Sequence, residues 1–401
     1  MRKIGLLQNT IQEYGWGSKT AIPGLLQRQV PSDKPQAELW MGAHPKAPSQ
    51  VFCEGHWRSL LEVIQENPIE TLGEKTAAEF SGKLPFLLKV LAAAKPLSIQ
   101  AHPNLEQAKR GFARENELGI PLDAPHRSYK DDNHKPEIIC ALTPFWALRG
   151  FREISEILTL LEKIQPPSLS EEVTLLRSQP NREGLKRFFK QLMTMEGKQQ
   201  RRIAEQAVNT ARRWTKNEPV WKWMLKLNQE YPGDIGVLST VLLNLVQLRP
   251  GEAMYLPAGE LHAYLEGAGV ELMANSDNVL RGGLTPKHID VQELLNILSF
   301  TGGEVQILST KMLAFGEAVY PTETAEFVLS VITVNEKAPF ESARNRSVEI
   351  MICTEGEAAI KDMSDGGMIR LTRGISFIVP AAVKQYRLDG TAKLFKATVP
   401  Q

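Results

Sequence analysis

One spacing occurs twice in this chain, and it restricts the available folds more than any compositional feature does. In GEAMYLPAGELHAYLE, Gly251 is followed by five residues, Pro257, one residue, Gly259, two residues and then His262. A strand, a tight Pro/Gly turn and a return strand that aims the histidine inward would satisfy such a pattern. Near the C-terminus, GISFIVPAAVKQ repeats the spacing with Gly374 and Pro380, but Ala382 stands in the second glycine position and Gln385 in the histidine position. No short-period solenoid repeat accompanies it, so the recurrence is read at the scale of whole domains.

The chain between these copies changes character in a way that supports a divided architecture. At 401 residues it exceeds the roughly 250–300 at which a single hydrophobic core stops growing, so two or three domains are expected. From Ile4 to about Gly150, short β-compatible runs such as LPFLLKVLAA and KPEIICALTPFWALRGF alternate with Pro and Gly. After Arg152 the apolar residues Ile154, Ile157, Leu158, Leu161 and Ile164 follow helical spacing and stop before Pro166 and Pro167. The amphipathic segments LKRFFKQLM, RIAEQAVNTARRW and VWKWMLKLNQ follow, and the block closes near Tyr231, Pro232 and Gly233. β-like segments then resume. The expected class is mainly β with an α-helical insertion. Residues 1–150 and 234–300 form one barrel, 151–233 a helical domain used as scaffold or lid, and 301–401 a second barrel.

Charge and cysteine usage narrow the function classes. The formal net charge is +1, so no global field draws in nucleic acid or an anionic membrane, and anion binding must be local. Cys53, Cys140 and Cys353 are few, distant and odd in number, which suits a reducing compartment and gives neither a disulfide framework nor a thiolate metal site. The opening MRKIGLLQNT is broken by Gln8, Asn9 and Thr10 before a signal-type core develops, and no apolar run approaches the ~18 residues of a membrane span. A cytoplasmic protein with no obligate protein partner is expected.

A metal site would therefore use His, carboxylate or amide ligands, and spacing selects among the seven histidines His44, His56, His102, His126, His134, His262 and His288. In SIQAHP, Gln100 and His102 alternate at strand period and can point to one face. Glu137 of NHKPE can add a carboxylate, and His262 completes a set that suits Zn²⁺. The same spacing also suits ordinary buried polar residues. The Gly251-to-His262 pattern resembles the second sequence motif of cupins, so the barrels are expected to be cupin-type jelly rolls. Glu349 and Gly356 have the separation of the Glu and Gly in the first cupin motif, but no His-x-His precedes Glu349. The second barrel is accordingly expected to be metal-free.

Several long strings carry a more specific resemblance: IQEYGWGS, AELWMGAHP, LPFLLKVLAAAKPLSIQAHP, YKDDNHKPEII, LRPGEAMYLPAGELHAYLEG and GVELMANSDNVLRGGLTPKH. In order, they make the chain similar to the type I mannose-6-phosphate isomerases over most of Ile11 to His288. The resemblance implies an enzyme with one zinc ion per chain, interconverting mannose 6-phosphate and fructose 6-phosphate. It places the metal ligands on Gln100, His102, Glu137 and His262, the catalytic arginine on Arg281, and the lysines of the shared strings on Lys135 and Lys287. Gly15, between Tyr14 and Trp16, departs from the polar residue expected there, which puts the local sugar contact in doubt.

Aldose–ketose isomerisation opens the sugar ring and moves a proton between neighbouring carbons through an enediol-like state. A zinc ion can polarise the sugar oxygens as a Lewis acid, and Arg281 can add fixed positive charge or bind phosphate. His134, Lys135, Glu271 and Asp277 are the proton-transfer candidates, although His134 also reads as a capping residue and Lys135 as half of an ion pair. Phosphate has two possible anchors, Arg281 with Lys287 or Ser98 with Lys89. Trp16, Glu38, Trp40 and Tyr264 can line the sugar site, though aromatic residues in β-rich proteins more often fill core. The competing functions are another cupin enzyme, such as an oxygenase or a cupin-type phosphoglucose isomerase, and a non-catalytic sugar-phosphate sensor.

Overall fold

Leu87, Leu88, Val90 and Leu91, in the run Phe86–Ala93, are all fully buried, because this strand is covered on both faces. It lies in a ten-stranded sheet that curls into the first barrel of the computed structural model, which describes residues 1–214 and 218–400. Its neighbours are Glu38–Gly42 on one side and the long strand His262–Ala274 on the other.

The His262–Ala274 strand belongs to both halves of that barrel. Its first residues pair with Ile99–Ala101 and Phe145–Phe151, and its later ones with Phe86–Ala93 and Glu137–Ala141. The bend between the halves falls at Gly267, where φ is 129° and a Cβ would lie 2.7 Å from the Pro144 carbonyl oxygen. Only glycine fits there.

The Gly251-to-His262 pattern is built differently from the expected hairpin. Ala253–Leu256 pairs with Glu137–Ala141, whereas His262 stands opposite Gln100 and Arg149. The Pro257–Gly259 turn is thus a corner that carries the chain from one half of the barrel to the other. Gly259, at φ 78°, lets the corner approach the Ile297 carbonyl, which a Cβ would meet at 2.8 Å.

The helical insertion leaves the barrel at Phe151 and returns at Leu243, two residues that are Cα partners on adjacent strands. Its main helices are Ile154–Ile164, Ser170–Ser178, Arg182–Thr194, Gly197–Ala211 and Pro219–Glu230. The first ends where the apolar period stops, with Gln165 in the left-handed region. The Asn181 side chain caps the third by accepting from Gly184 N, and Pro219 opens the last. Their apolar faces, including Ile157, Phe188, Trp221 and Leu227, share one core with Ile99, Leu148, Leu261 and Leu280 of the barrel. Each such side chain contributes about 1.5–3 kcal/mol on burial.

The second sheet is eleven-stranded and is built on the long strands Glu349–Asp362 and Tyr386–Thr398. It also recruits Gly5–Gln8, Gln50–Cys53 and His56–Ser59 from the N-terminal part of the chain, which sequence patterning assigned to the first barrel. Alternation at period two divides its side chains. Met351, Cys353, Phe377, Tyr386 and Leu394 fill the second barrel's interior, while Ile350, Ile352, Phe395 and Ala397 pack against Leu88, Val90, Val270 and Leu272 of the first sheet. No helix among the described residues is long and apolar enough to cross a membrane.

Candidate metal and active site

His102, Glu137 and His262 converge although 160 positions separate the first from the last. His102 directly follows the strand Ile99–Ala101, Glu137 opens Glu137–Ala141, and His262 opens His262–Ala274. All three are essentially inaccessible to solvent, and their ligand-type atoms lie within 4.8 Å of one another. His102 Nε2 is 3.5 Å from Glu137 Oε1, and His262 Nε2 is 3.5 Å from Glu137 Oε2. Among the described residues neither imidazole Nε2, nor Glu137 Oε2, has a hydrogen-bond partner. Leaving one such buried atom unsatisfied costs about 1–3 kcal/mol. Ligand atoms bound tetrahedrally at about 2.1 Å from Zn²⁺ stand about 3.4 Å apart, so the spacing and the N/O donor set fit that ion. Gln100 stands directly opposite both His262 and Arg281 in strand register.

The opposite ring nitrogens fix the imidazoles. His102 Nδ1 lies 2.7 Å from the Asn278 carbonyl and His262 Nδ1 lies 3.0 Å from the Glu260 carbonyl, so each ring turns Nε2 toward Glu137. Burial lowers the His102 pKa to about 4, keeping the ring neutral, as a metal ligand must be. Burial would raise the Glu137 pKa, but the Lys135 charge and then His102 outweigh it and hold this carboxyl well below the usual range.

Asn278 is a site residue that sequence reasoning missed. It is fully buried, its carbonyl holds His102, and its side chain holds the 130–133 loop. Its Oδ1 accepts from Lys130 N at 2.6 Å, and its Nδ2 donates to the Asp131 and Asn133 carbonyls at 2.8 Å each. Asp131 in turn accepts from Ser276 Oγ and Asp277 N. The string NSDN contains the right residue types for such a clasp, but nothing local in it names the distant loop.

A second buried charge cluster adjoins the ligands. Lys89 Nζ is 3.0 Å from Glu271 Oε2 and 3.7 Å from Glu38 Oε1. Tyr264 donates its hydroxyl to Glu271 Oε1 at 2.8 Å, and Trp40 donates Nε1 to Glu38 Oε2 at 2.8 Å. Register places Trp40, Lys89 and Glu271 side by side on three adjacent strands. Burial alone would lower the Lys89 pKa, but Glu271 and then Glu38 raise it, so the ammonium is retained. Burial raises the Glu271 pKa, with Lys89 opposing.

The other sequence-selected residues fall at different depths. Lys135 is buried with Nζ 3.1 Å from Glu137 Oε1. His134 turns its Nε2 to Glu326 of the C-terminal segment. Asp277 is 30% exposed, paired with Lys46 at 2.8 Å and facing His44 at 3.6 Å, on the wall of an open cavity of about 720 Å³. Arg281 is half-buried in Leu280–Gly283 and has no hydrogen-bonded or ionic side-chain partner among the described residues. Desolvation lowers its pKa from the usual guanidinium value without an acid to offset it. Lys287 is exposed on the following loop, Ser98 is partly exposed beside Ile99, and Trp16 packs its ring near Tyr14 and the edge of the barrel core.

Comparison with known proteins agrees with this geometry. The family model for the type I phosphomannose isomerase catalytic domain matches residues 4–154, its helical insertion domain matches 160–243, and the mannose-6-phosphate isomerase cupin domain matches 317–399. Mannose-6-phosphate isomerase of Escherichia coli K12 is 42% identical over 390 residues, covering 97% of both chains. The Homo sapiens protein of that name is 41% identical over 318 residues, covering 74% of this chain and 73% of its own. Among solved structures, zinc-bound mannose 6-phosphate isomerase superposes with a TM-score of 0.92 at 40% identity, covering 99% of this chain and all of that one. A variant of phosphomannose isomerase from Salmonella typhimurium gives 0.93 at 40% identity and the same coverage. With family models spanning both barrels and the insertion, and relatives matching nearly the whole length, the chain belongs to the type I phosphomannose isomerase family.

Proposed function

We propose that this chain is a cytoplasmic, zinc-dependent aldose–ketose isomerase that interconverts mannose 6-phosphate and fructose 6-phosphate, with the small-molecule sugar phosphate as its partner. The observation that carries this reading is the buried trio of unsatisfied ligand atoms on His102, Glu137 and His262, with Arg281, which has no acidic partner among the described residues, in register with the same strand as His262. Gln100, His102, Glu137 and His262 would hold one zinc ion. When bound, the ion supplies a Lewis acid for the sugar oxygen on which negative charge develops.

The protein's own groups divide the remaining work by access and charge. Arg281 offers an uncompensated cation to an enediolate or phosphate oxygen. Lys135 places its ammonium against Glu137, and Lys89 orders Glu271, which leaves both buried carboxylates charge-balanced beside the ligands. Asp277 is the acidic candidate that faces the open cavity, so we assign it the proton transfer to and from the sugar. The phosphate is assigned to one of two anchors, Arg281 with Lys287 or Ser98 with Lys89. Trp16, Glu38 and Tyr264 are assigned to the sugar wall.

In this reading residues 1–150 with 234–300, apart from the strands Gly5–Gln8, Gln50–Cys53 and His56–Ser59, form the catalytic unit, 151–233 a helical scaffold, and 301–401 with those three strands a metal-free barrel. The test is a coupled assay of mannose 6-phosphate to fructose 6-phosphate before and after chelation. Turnover that disappears on chelation and returns with zinc is expected; no turnover in zinc-replete protein overturns the proposal.

A further inference from the structure

His134 lies one residue before Lys135 and three before Glu137, yet its ring engages the C-terminal segment rather than the metal trio. Its Nε2 meets Glu326 Oε1, while Glu326 Oε2 accepts from Thr324 Oγ1, so both carboxylate oxygens are held. Glu326 is 9% exposed and immediately precedes Phe327, a fully buried residue of the core between the two barrels, and the strand Val328–Val334. It therefore stands on a rigid part of the second barrel unit.

The loop it grips is fastened on its other side by the 275–278 segment. Asn278 binds Lys130, Asp131 and Asn133, and Asn133 Nδ2 donates to the Asn275 carbonyl. Its outer face is not packed: Asp131, Asn133 and Glu326 all line the open cavity of about 720 Å³. On that side the His134–Glu326 bond ties the loop to the second barrel unit. Pro136 stiffens the short run from His134 to Glu137, so a displaced His134 carries Lys135 and Glu137 with it.

The geometry points to Glu326 as a positioning residue: through His134, the second barrel sets where Lys135 and Glu137 stand in the metal site. The catalytic part of this inference rests on the proposed function, whereas the metal-binding part does not.

Four full-length variants test it: Glu326→Ala, Glu326→Gln, His134→Ala and the Glu326→Ala/His134→Ala double. Loss of a residue that supports a ligand from behind typically costs about 10–100-fold in metal affinity or activity. Glu326→Ala is expected to weaken zinc retention in chelator competition about tenfold and to lower kcat by a similar factor, with KM changed less than about twofold. Glu326→Gln should recover most of both, because its carbonyl oxygen still accepts from the imidazole. The double variant should be no worse than the poorer single, since all remove the same bond. Unchanged zinc affinity and kcat in Glu326→Ala, equal losses in the Gln and Ala variants, or additive losses in the double would each overturn the inference. If the unmutated chain fails to turn over mannose 6-phosphate, the functional reading falls, and the zinc competition still decides the role of Glu326.

Discussion

In the first barrel the buried carboxylate of Glu137 faces two imidazole nitrogens across 3.5 Å as well as the Lys135 ammonium, and in the second barrel Glu349, at the Glu position of the first cupin motif, faces the cations of Lys396 and Arg346. Lys396 Nζ lies 2.6 Å from Glu317 Oε1 and 3.5 Å from Glu349 Oε1, and Arg346 reaches Glu349 Oε2 at 3.3 Å. Ser330 Oγ donates to Glu317 as well. Gln385, in the histidine position, donates to the Ser342 carbonyl at 3.3 Å. Burial would lower the Lys396 pKa, but Glu349 and Glu317 outweigh it and raise it. Both interiors thus balance buried carboxylates with tethered cations, Lys135 and Lys89 in the first and Lys396 and Arg346 in the second, but the first also sets two neutral imidazole nitrogens, suited to an exchangeable ion, against its carboxylate. A tethered ammonium is strongly hydrogen-bonded by its neighbours and presents no open coordination position to a substrate. The contrast separates a barrel equipped for chemistry from one whose charges are spent on its own packing.

The strongest way to break this contrast is to remove a ligand nitrogen. His102→Ala and His262→Ala are each expected to lose zinc and to lower turnover by more than about 100-fold, beyond the usual range for residues that only support ligands. Metal analysis of purified protein checks this; a full zinc equivalent in both variants would mean the wrong histidines have been chosen. The two barrels' cations should then separate cleanly. Lys396→Met leaves the buried Glu317 without its cation and Glu349 with Arg346 only, so denaturant unfolding should show a loss of about 3–5 kcal/mol, with turnover per folded molecule unchanged. Arg281→Lys should show the reverse, a kcat about 100-fold lower with zinc and stability retained, because the charge survives but the planar fork is lost. A stability loss at Arg281, or a kcat loss at Lys396 in protein verified as folded, would collapse the distinction. The smallest effect belongs to Gln385→Ala, whose single long bond to a loop carbonyl should cost no more than about 0.5 kcal/mol and leave zinc content as it was.

Local spacing made some of this legible. The Gly251-to-His262 pattern led to a histidine that does enter the barrel, and the segment of Gln100 and His102 brings His102 to Glu137 while Gln100 stands in register with His262. The helix Ile154–Ile164 could be read to its last residue from its apolar period and the prolines beyond it. What escaped is set by pairings between distant segments. The Pro257 turn looked like a hairpin because a one-dimensional pattern does not say that the strands on either side choose different neighbours. Gly5–Gln8 carries no mark that its partner is Ser376–Val379. Asn278, Glu326 and Lys396 are ordinary polar residues until the fold brings a loop, a ring or a pair of carboxylates against them.

The junction of Phe151 with Leu243 has a further consequence for how such a chain can vary. Because the exit and re-entry points are already neighbours, everything between them is, to the barrel, a single loop of arbitrary length. Closing a loop costs only about 0.6 kcal/mol more for each doubling of its length, so residues added at the far end of the insertion leave Glu137 and His262 where they stand. The tolerance runs in one direction. Ile99, Leu148, Leu261 and Leu280 share their core with the helices, and a chain trimmed to a short turn at this junction would expose the outer wall of its own metal site to water. The insertion is free to grow outward and is not free to disappear.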